Sequence, residues 1–199
     1  MVVIMQDTNT NQKILTIARE ILASEGLGAV SFDAIARRLE RSKQAVLYWY
    51  PTKRDLLAAM FIPWLNAEME AAEDAVSVAM NRDQAVSSFV TAIAGFHLED
   101  LDRFRMMYLV PQTTGQKPQG RASMVTGDEV YQVTNRLYGA LAGHLDGDNE
   151  TARKAAVAIH SAVLGLVMMF ALTNALQDPL KHSETDLIEA MIACLIGKN

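Results

Sequence analysis

Apolar positions recur at helical spacing through nearly the whole chain. Ile14, Ala18, Ile21 and Leu22 form the first stripe, spaced to share one helix face. Gly26 and Gly28 follow it and suit a helix stop. Ser31 is an N-cap candidate, and Phe32, Ile35, Ala36 and Leu39 then fall at i, i+3, i+4 and i+7, a short helix ending near Glu40. Ser42 is a second N-cap candidate. It opens a helix of about two turns whose inner face is Val46 and Tyr50. Pro51 ends that helix, because the residue before a proline is pushed out of the α region. A long helix starts at Thr52. It contains Pro63, which removes one hydrogen bond and predicts a kink near Met60 to Ile62 or a break into two helices.

The later pattern is similar. Asn81 to Asp83 read as a turn, and Gln84 to Leu101 and Asp102 to Val110 as two helices. Residues 111–127 are rich in proline, glycine and polar residues, which predicts a loop, most of it mobile. Val130, Val133, Leu137, Leu141 and Leu145 mark a further helix, closed by the HLDGDN stretch. From Ala155 to Leu176, 22 residues run without a formal charge, long enough to span a bilayer. His160, Ser161, Thr173 and Asn174 interrupt it and no aromatic belt flanks it, so the expectation is a helix buried between other helices and no membrane partner. After Pro179, Leu187, Ile188, Met191, Ile192, Leu195 and Ile196 give a wide apolar stripe on a last helix. No stretch sustains a period-two alternation, and there are no internal repeats. The reading is all-α, with about nine helices.

Composition and charge sharpen this. The 199 residues are half apolar, with a net charge of -5. The one cysteine, Cys194, excludes an internal disulfide and a cysteine-based zinc site. The N-terminal MVVIMQDTNT has neither a basic n-region nor a signal-length apolar run, which fits a cytoplasmic protein. Residues 1–57 hold eight Lys/Arg against six Asp/Glu, whereas the remainder holds ten against seventeen. Residues 37–54 alone hold six cations against one acid. A basic patch at one end of an acidic protein points to a polyanion partner there, with a plain solvated face as the alternative.

The chemistry of residues 31–50 favours the polyanion. Two short helices around a tight turn at Glu40 and Arg41 have the layout of a helix-turn-helix, whose second helix meets base edges in the major groove. Opposite Val46 and Tyr50, that helix presents Lys43, Gln44, Ala45, Tyr48 and Trp49. Gln44 suits adenine, Lys43 suits guanine, and the Ala45 methyl suits a thymine methyl. Tyr48 and Trp49 are phosphate donors, with core packing as the other reading for each. Lys53 sits at the start of the next helix, where free backbone N–H groups favour a phosphate.

Residues 12–57 resemble the DNA-binding domain of the TetR family of bacterial repressors. The resemblance rests on Gly26, Ser31, Ile35-Ala36, Ser42-Lys43, Ala45, Leu47-Tyr48, Tyr50-Pro51, Lys53 and Leu56-Leu57. Two residues depart from the pattern. Glu40 stands where the family has glycine, which implies a left-handed conformation at some strain, and Arg41 replaces a small apolar residue and is expected to reach the DNA backbone. The resemblance implies DNA contacts at Ser31, Arg41, Ser42, Lys43, Gln44, Ala45, Tyr48, Trp49 and Lys53. It implies a helix-turn-helix domain over residues 1–57 and an effector-binding and dimerisation domain over residues 58–199. It further implies a homodimer through the last two helices on a palindromic operator, and a small-molecule effector that acts through the long helix containing Pro63. Trp64, Phe96, His97, Phe104, Met107, Tyr108, Tyr131, Met168, Phe170 and Asn174 are candidates to line an effector cavity, with ordinary core as the alternative for each. His97 and Asn174 stand out as polar groups in apolar helices. The composition suggests an apolar or amphipathic effector.

Competing functions are fewer. There is no glycine-rich phosphate loop, nucleophile elbow or paired-histidine metal motif, and His97, His144, His160 and His182 are scattered. Neither catalysis, a cofactor nor a metal is expected. The same fold acting without an effector, in architecture or cell division, stays open, as does a helical domain whose basic patch meets an acidic protein.

Overall fold

The computed structural model describes residues 3–109, 121–176 and 181–197, and the side chains of residues 10–108, 129–173 and 181–197. Among these residues there are nine α-helices and no strand. They are α1 Val3–Glu25, α2 Phe32–Leu39, α3 Lys43–Trp49, α4 Lys53–Ser77, α5 Arg82–Leu98, α6 Leu101–Phe104, α7 Arg121–Ala142, α8 Asn149–Leu176 and α9 Glu184–Ile196. The chain divides into two compact units, with one break within α4 at Trp64/Leu65 and another within α7 at Glu129/Val130.

In the N-terminal unit the sequence stripes are the core. Ile14, Ala18, Val30, Ile35, Val46, Leu56 and Met60 are fully buried. Each of the buried Ile, Val, Leu and Met side chains stabilises by about 1.5–3 kcal/mol relative to exposure. Helix starts are set by side-chain caps. Ser31 accepts from the Ala34 N–H at 3.1 Å and Ser42 from the Ala45 N–H at 3.3 Å. At the head of α4, Thr52 and Asp55 bond reciprocally: the Asp55 carboxylate accepts from the Thr52 N–H at 3.0 Å and the Thr52 hydroxyl accepts from the Asp55 N–H at 3.2 Å.

Helix α4 runs unbroken through Pro63. Of the two outcomes expected there, a kink or a break into two helices, the break is absent. Near the proline, the Arg19 guanidinium donates to the Met60 carbonyl at 3.3 Å and lies over the Trp64 ring.

The C-terminal unit is organised around α5, which packs against α8 and α9. Val86, Phe89, Val90, Ile93 and Ala94 on α5 are fully buried. Three expectations need correction here. Arg121–Gly127, read as part of a loop, are helical and open α7; Arg, Ala and Met in that stretch are good helix formers. Residues 111–120 lie outside the described residues. The helix expected over Asp102 to Val110 is a short α6 followed by a π-helical stretch, Arg105–Leu109. The uncharged segment is buried on one face only. Ala156, Ile159, Val163, Val167 and Ala171 point into the core, whereas Val157, Met168, Met169 and Leu172 are exposed. By length and composition alone, Asn149–Thr173 is apolar enough to cross a membrane; here its inner face completes the core of this unit.

Candidate functional site

Two sites stand out, one in each unit. The first is the pair α2 and α3. After α2 the backbone reverses at Glu40, whose φ of 56° and ψ of 41° are left-handed. The Arg41 N–H bonds the Ala36 carbonyl at 3.0 Å and the Glu40 N–H bonds the Arg37 carbonyl at 3.3 Å. This is the double hydrogen bond of a Schellman stop. It is the conformation expected for a position where glycine is the easy residue.

The turn and the Ser42 cap fix the rotation of α3. Val46 is fully buried and Tyr50, just past the helix end, is 6% exposed. The Tyr50 hydroxyl donates to the Asn11 side chain on α1, and burial raises its pKa. The other face is open. Arg41, Ser42, Lys43, Gln44 and Lys53 are exposed, Ala45 and Trp49 are half-buried, and Tyr48 is 76% exposed. Tyr48 and Trp49 meet edge to face, 5.4 Å between centroids. Lys43 pairs with Asp33 of α2 at 2.8 Å, and Lys53 donates to the Leu27 carbonyl at 3.2 Å. Ser31, also exposed, caps α2 as an acceptor.

The second site is buried polar chemistry in the C-terminal unit. Glu68 on α4 is fully buried. Its Oε1 accepts from His97 Nε2 of α5 and from His160 Nε2 of α8, each at 2.9 Å. The Tyr108 hydroxyl, on the π-helical stretch, lies 2.7 Å from Oε1 and 2.6 Å from Oε2. Behind His160, its Nδ1 is 3.3 Å from the Tyr138 hydroxyl of α7. Burial would push the Glu68 pKa up, but the hydrogen bonds and charges of His160 and His97 outweigh it and hold it at about 2. Burial and the Glu68 charge push the Tyr108 and Tyr138 hydroxyls up, so both stay protonated as donors. An ionised carboxylate only accepts, so both histidines donate to it from Nε2. Among the described residues, His97 Nδ1 is buried with no partner.

The sequence candidates for an effector site sort around this cluster. His97 is a member, as is Tyr108. Phe104 and Phe96 touch the His97 ring edge to face, 5.3 Å and 5.0 Å between centroids. Met107 and Phe170 are buried. Tyr131 and Met168 are exposed and are not brought to the cluster. Trp64 belongs to the N-terminal unit. Asn174 is on α8, but its side chain lies outside the described residues.

Glu68 and His160 were missed as candidates. A signal existed. Glu68 lies on the face of Leu65, Met69, Ala72 and Val76, and His160 lies on the face of Ala156, Ile159, Val163 and Val167. A charged or titratable residue on an apolar stripe must find a partner when buried. The sequence did not show which partner. Among the described residues, no group of three or more His, Cys, Asp or Glu residues is placed to hold a metal ion.

Comparison with known proteins follows the same division. Residues 14–60 match the model of the family described as bacterial regulatory proteins, tetR family. A search of curated proteins found no match. Among solved structures, the chain is similar over 96% of its length to 96% of the putative regulatory protein SCO4313, with a TM-score of 0.75 and 16% identity. It is similar over 94% of its length to 98% of the transcriptional regulator FadR from Bacillus subtilis in complex with stearoyl-CoA, with a TM-score of 0.67 and 15% identity. The putative transcriptional regulator SCO7518 from Streptomyces coelicolor A3(2) matches over 94% of this chain and 97% of its own, with a TM-score of 0.63 and 21% identity. These likenesses extend the shared fold over nearly the whole chain, and residues 14–60 carry the match to the tetR family of bacterial regulatory proteins.

Proposed function

We propose that this protein is a homodimeric transcriptional repressor that reads a palindromic operator and is released by a small apolar or amphipathic effector. The observation that carries the DNA-reading half is the open face of α3. Gln44 and Tyr48 are exposed while Val46 is fully buried on the opposite side. Gln44 reads a base edge and Lys43 exchanges its Asp33 partner for a base or phosphate. Ala45 approaches a thymine methyl. Arg41, Ser42, Tyr48, Trp49 and Lys53 grip phosphates and set the register, as does Ser31 at the head of α2. The exposed apolar face of α8, with Val157, Met168, Met169 and Leu172, supports a second copy as its cover. Two recognition helices then fall about one DNA turn apart. The likeness to FadR, whose structure holds stearoyl-CoA, and the buried cluster around Glu68 support an effector site in the C-terminal unit.

The test is selection from a random duplex pool with the full chain and a Gln44→Ala, Tyr48→Ala double variant side by side. The expected result is a palindrome enriched by the wild type and lost in the variant. Each lost contact should cost about 1–3 kcal/mol of binding. Absence of enrichment by the wild type at low salt would remove the DNA-reading assignment.

A further inference from the structure

The open face of α3 begins with a cation that is held by an acid. Lys43, the first residue of α3, pairs across the turn with Asp33, in the first turn of α2, at 2.8 Å. We propose that Asp33 is a specificity-determining residue, which makes Lys43 a reader of a base edge and a poor gripper of phosphate. The inference rests on the reading that α3 reads DNA and adds how loose binding is discouraged there.

The reasoning starts from the pair as a unit. A lysine ammonium has three donors and no acceptor. Asp33 takes one donor and cancels the charge, which leaves donors to spare on a pair that is neutral overall. A phosphate attracts a cation through its charge, so it gains little from a neutral pair and is repelled by the carboxylate. A guanine edge presents N7 and O6, which are neutral acceptors. It takes the spare donors while the carboxylate keeps its own, whereas a phosphate must displace the carboxylate. Without Asp33, Lys43 regains a full positive charge and phosphates compete with bases for it. Phosphate contacts carry no sequence information, so the gain goes to any duplex alike.

Local structure sets the pair up. The caps of both helices come from serines, Ser31 accepting from the Ala34 N–H and Ser42 from the Ala45 N–H. A cation in the first turn of α3 runs against the helix dipole, and the Asp33 carboxylate offsets this. Asp33 also complements the dipole of α2, a contribution to stability that does not touch base choice. The Lys43 and Asp33 side chains are 49% and 64% exposed, so solvent screens the pair and it adds little to the fold. A second pair supplies the control. Arg38 of α2 pairs with Glu25 at the end of α1, and both are exposed. Neutralising either acid adds one positive charge, but only Asp33 holds a residue of α3.

The experiment measures fluorescence anisotropy of two labelled duplexes, the one selected by the wild type and a scrambled duplex of equal length, over a series of salt concentrations. The proteins are full-length wild type, Asp33→Asn, Asp33→Glu and Glu25→Gln. Asp33→Asn should bind the scrambled duplex more tightly, with a salt slope steeper by about 0.9, the increment for one added phosphate contact. Its ratio of affinities for the two duplexes should fall roughly two- to fivefold, the range of an exposed ion pair. Asp33→Glu keeps the carboxylate and should restore the ratio. Glu25→Gln should tighten both duplexes alike and leave the ratio unchanged. Loss of folded protein lowers both affinities together, so the ratio reads the site and not stability. A wild-type ratio in Asp33→Asn overturns the inference, as does an equal fall in Glu25→Gln, which would make the effect one of general charge. The DNA reading fails separately: if the wild type selects no duplex, that reading falls and takes the inference with it, whereas a selected duplex with an unmoved ratio removes the inference alone.

Discussion

Helix α3 keeps its polar side chains in solvent and its apolar ones inside, whereas the C-terminal unit carries Glu68, His97 and His160 on the inside of its helices. In the first region the features that aim the side chains are local. The Ser42 cap, the Glu40 turn and the buried Val46 lie within a few residues of one another, and together they aim Gln44 and Tyr48 outward. In the second, one carboxylate gathers partners from 29 and 92 residues away in the chain. An exposed face can change with little effect on the fold. A buried ion with shared donors cannot, because each lost partner leaves a desolvated group behind. The exposed α3 face is therefore separable from stability, and the buried cluster is coupled to it.

The largest expected effect breaks that coupling outright. Glu68→Ala leaves two buried N–H groups and a tyrosine hydroxyl without their acceptor, and should lower the unfolding free energy by about 3–5 kcal/mol in urea titration. A loss near that of a surface substitution would place the cluster in water and undo the contrast.

Acid unfolding sharpens the same point. The Glu68 pKa is lowered from 4.5 to about 2 in the folded state. A lowered pKa means stability that is present above the unfolded value and lost as pH falls through the folded one. The contribution should fade between pH 4.5 and about 2, by up to about 3 kcal/mol. Glu68→Gln should flatten that limb, as followed by urea midpoints at a series of pH values.

The smallest effect lies in the N-terminal unit. Glu40→Gly removes the side chain from a left-handed position with a φ of 56° and should stabilise by about 1 kcal/mol. Thermal unfolding of the two forms measures it. A destabilised glycine variant would mean that Glu40 makes a contact worth more than the strain.

What was legible in the sequence divides along the same line. The α3 face was readable because one helix with one cap converts spacing directly into exposure. Tyr50 and Tyr48 are two residues apart, yet the period alone sends one inside and the other out. The π-helical stretch was not readable, since Arg105–Leu109 carries the same apolar pattern an α-helix would. Nor was Glu68, one acid among several in the LNAEMEAAED segment, of which only its position on the apolar stripe marked it.

The left-handed turn at Glu40 was implied by the resemblance to a family with glycine at that position; the sequence by itself determined the helical class, the helix-turn-helix with its two serine caps and the outward face of α3. These follow from short-range periodicity and from backbone groups that must be satisfied nearby. The tertiary structure decided that α4 passes through Pro63 unbroken, that α8 buries one face and exposes the other, and that Glu68, His97, His160 and Tyr108 meet. Those outcomes depend on which helices pack together. A buried charge selects its partners by three-dimensional proximity, and no spacing along a single helix encodes that.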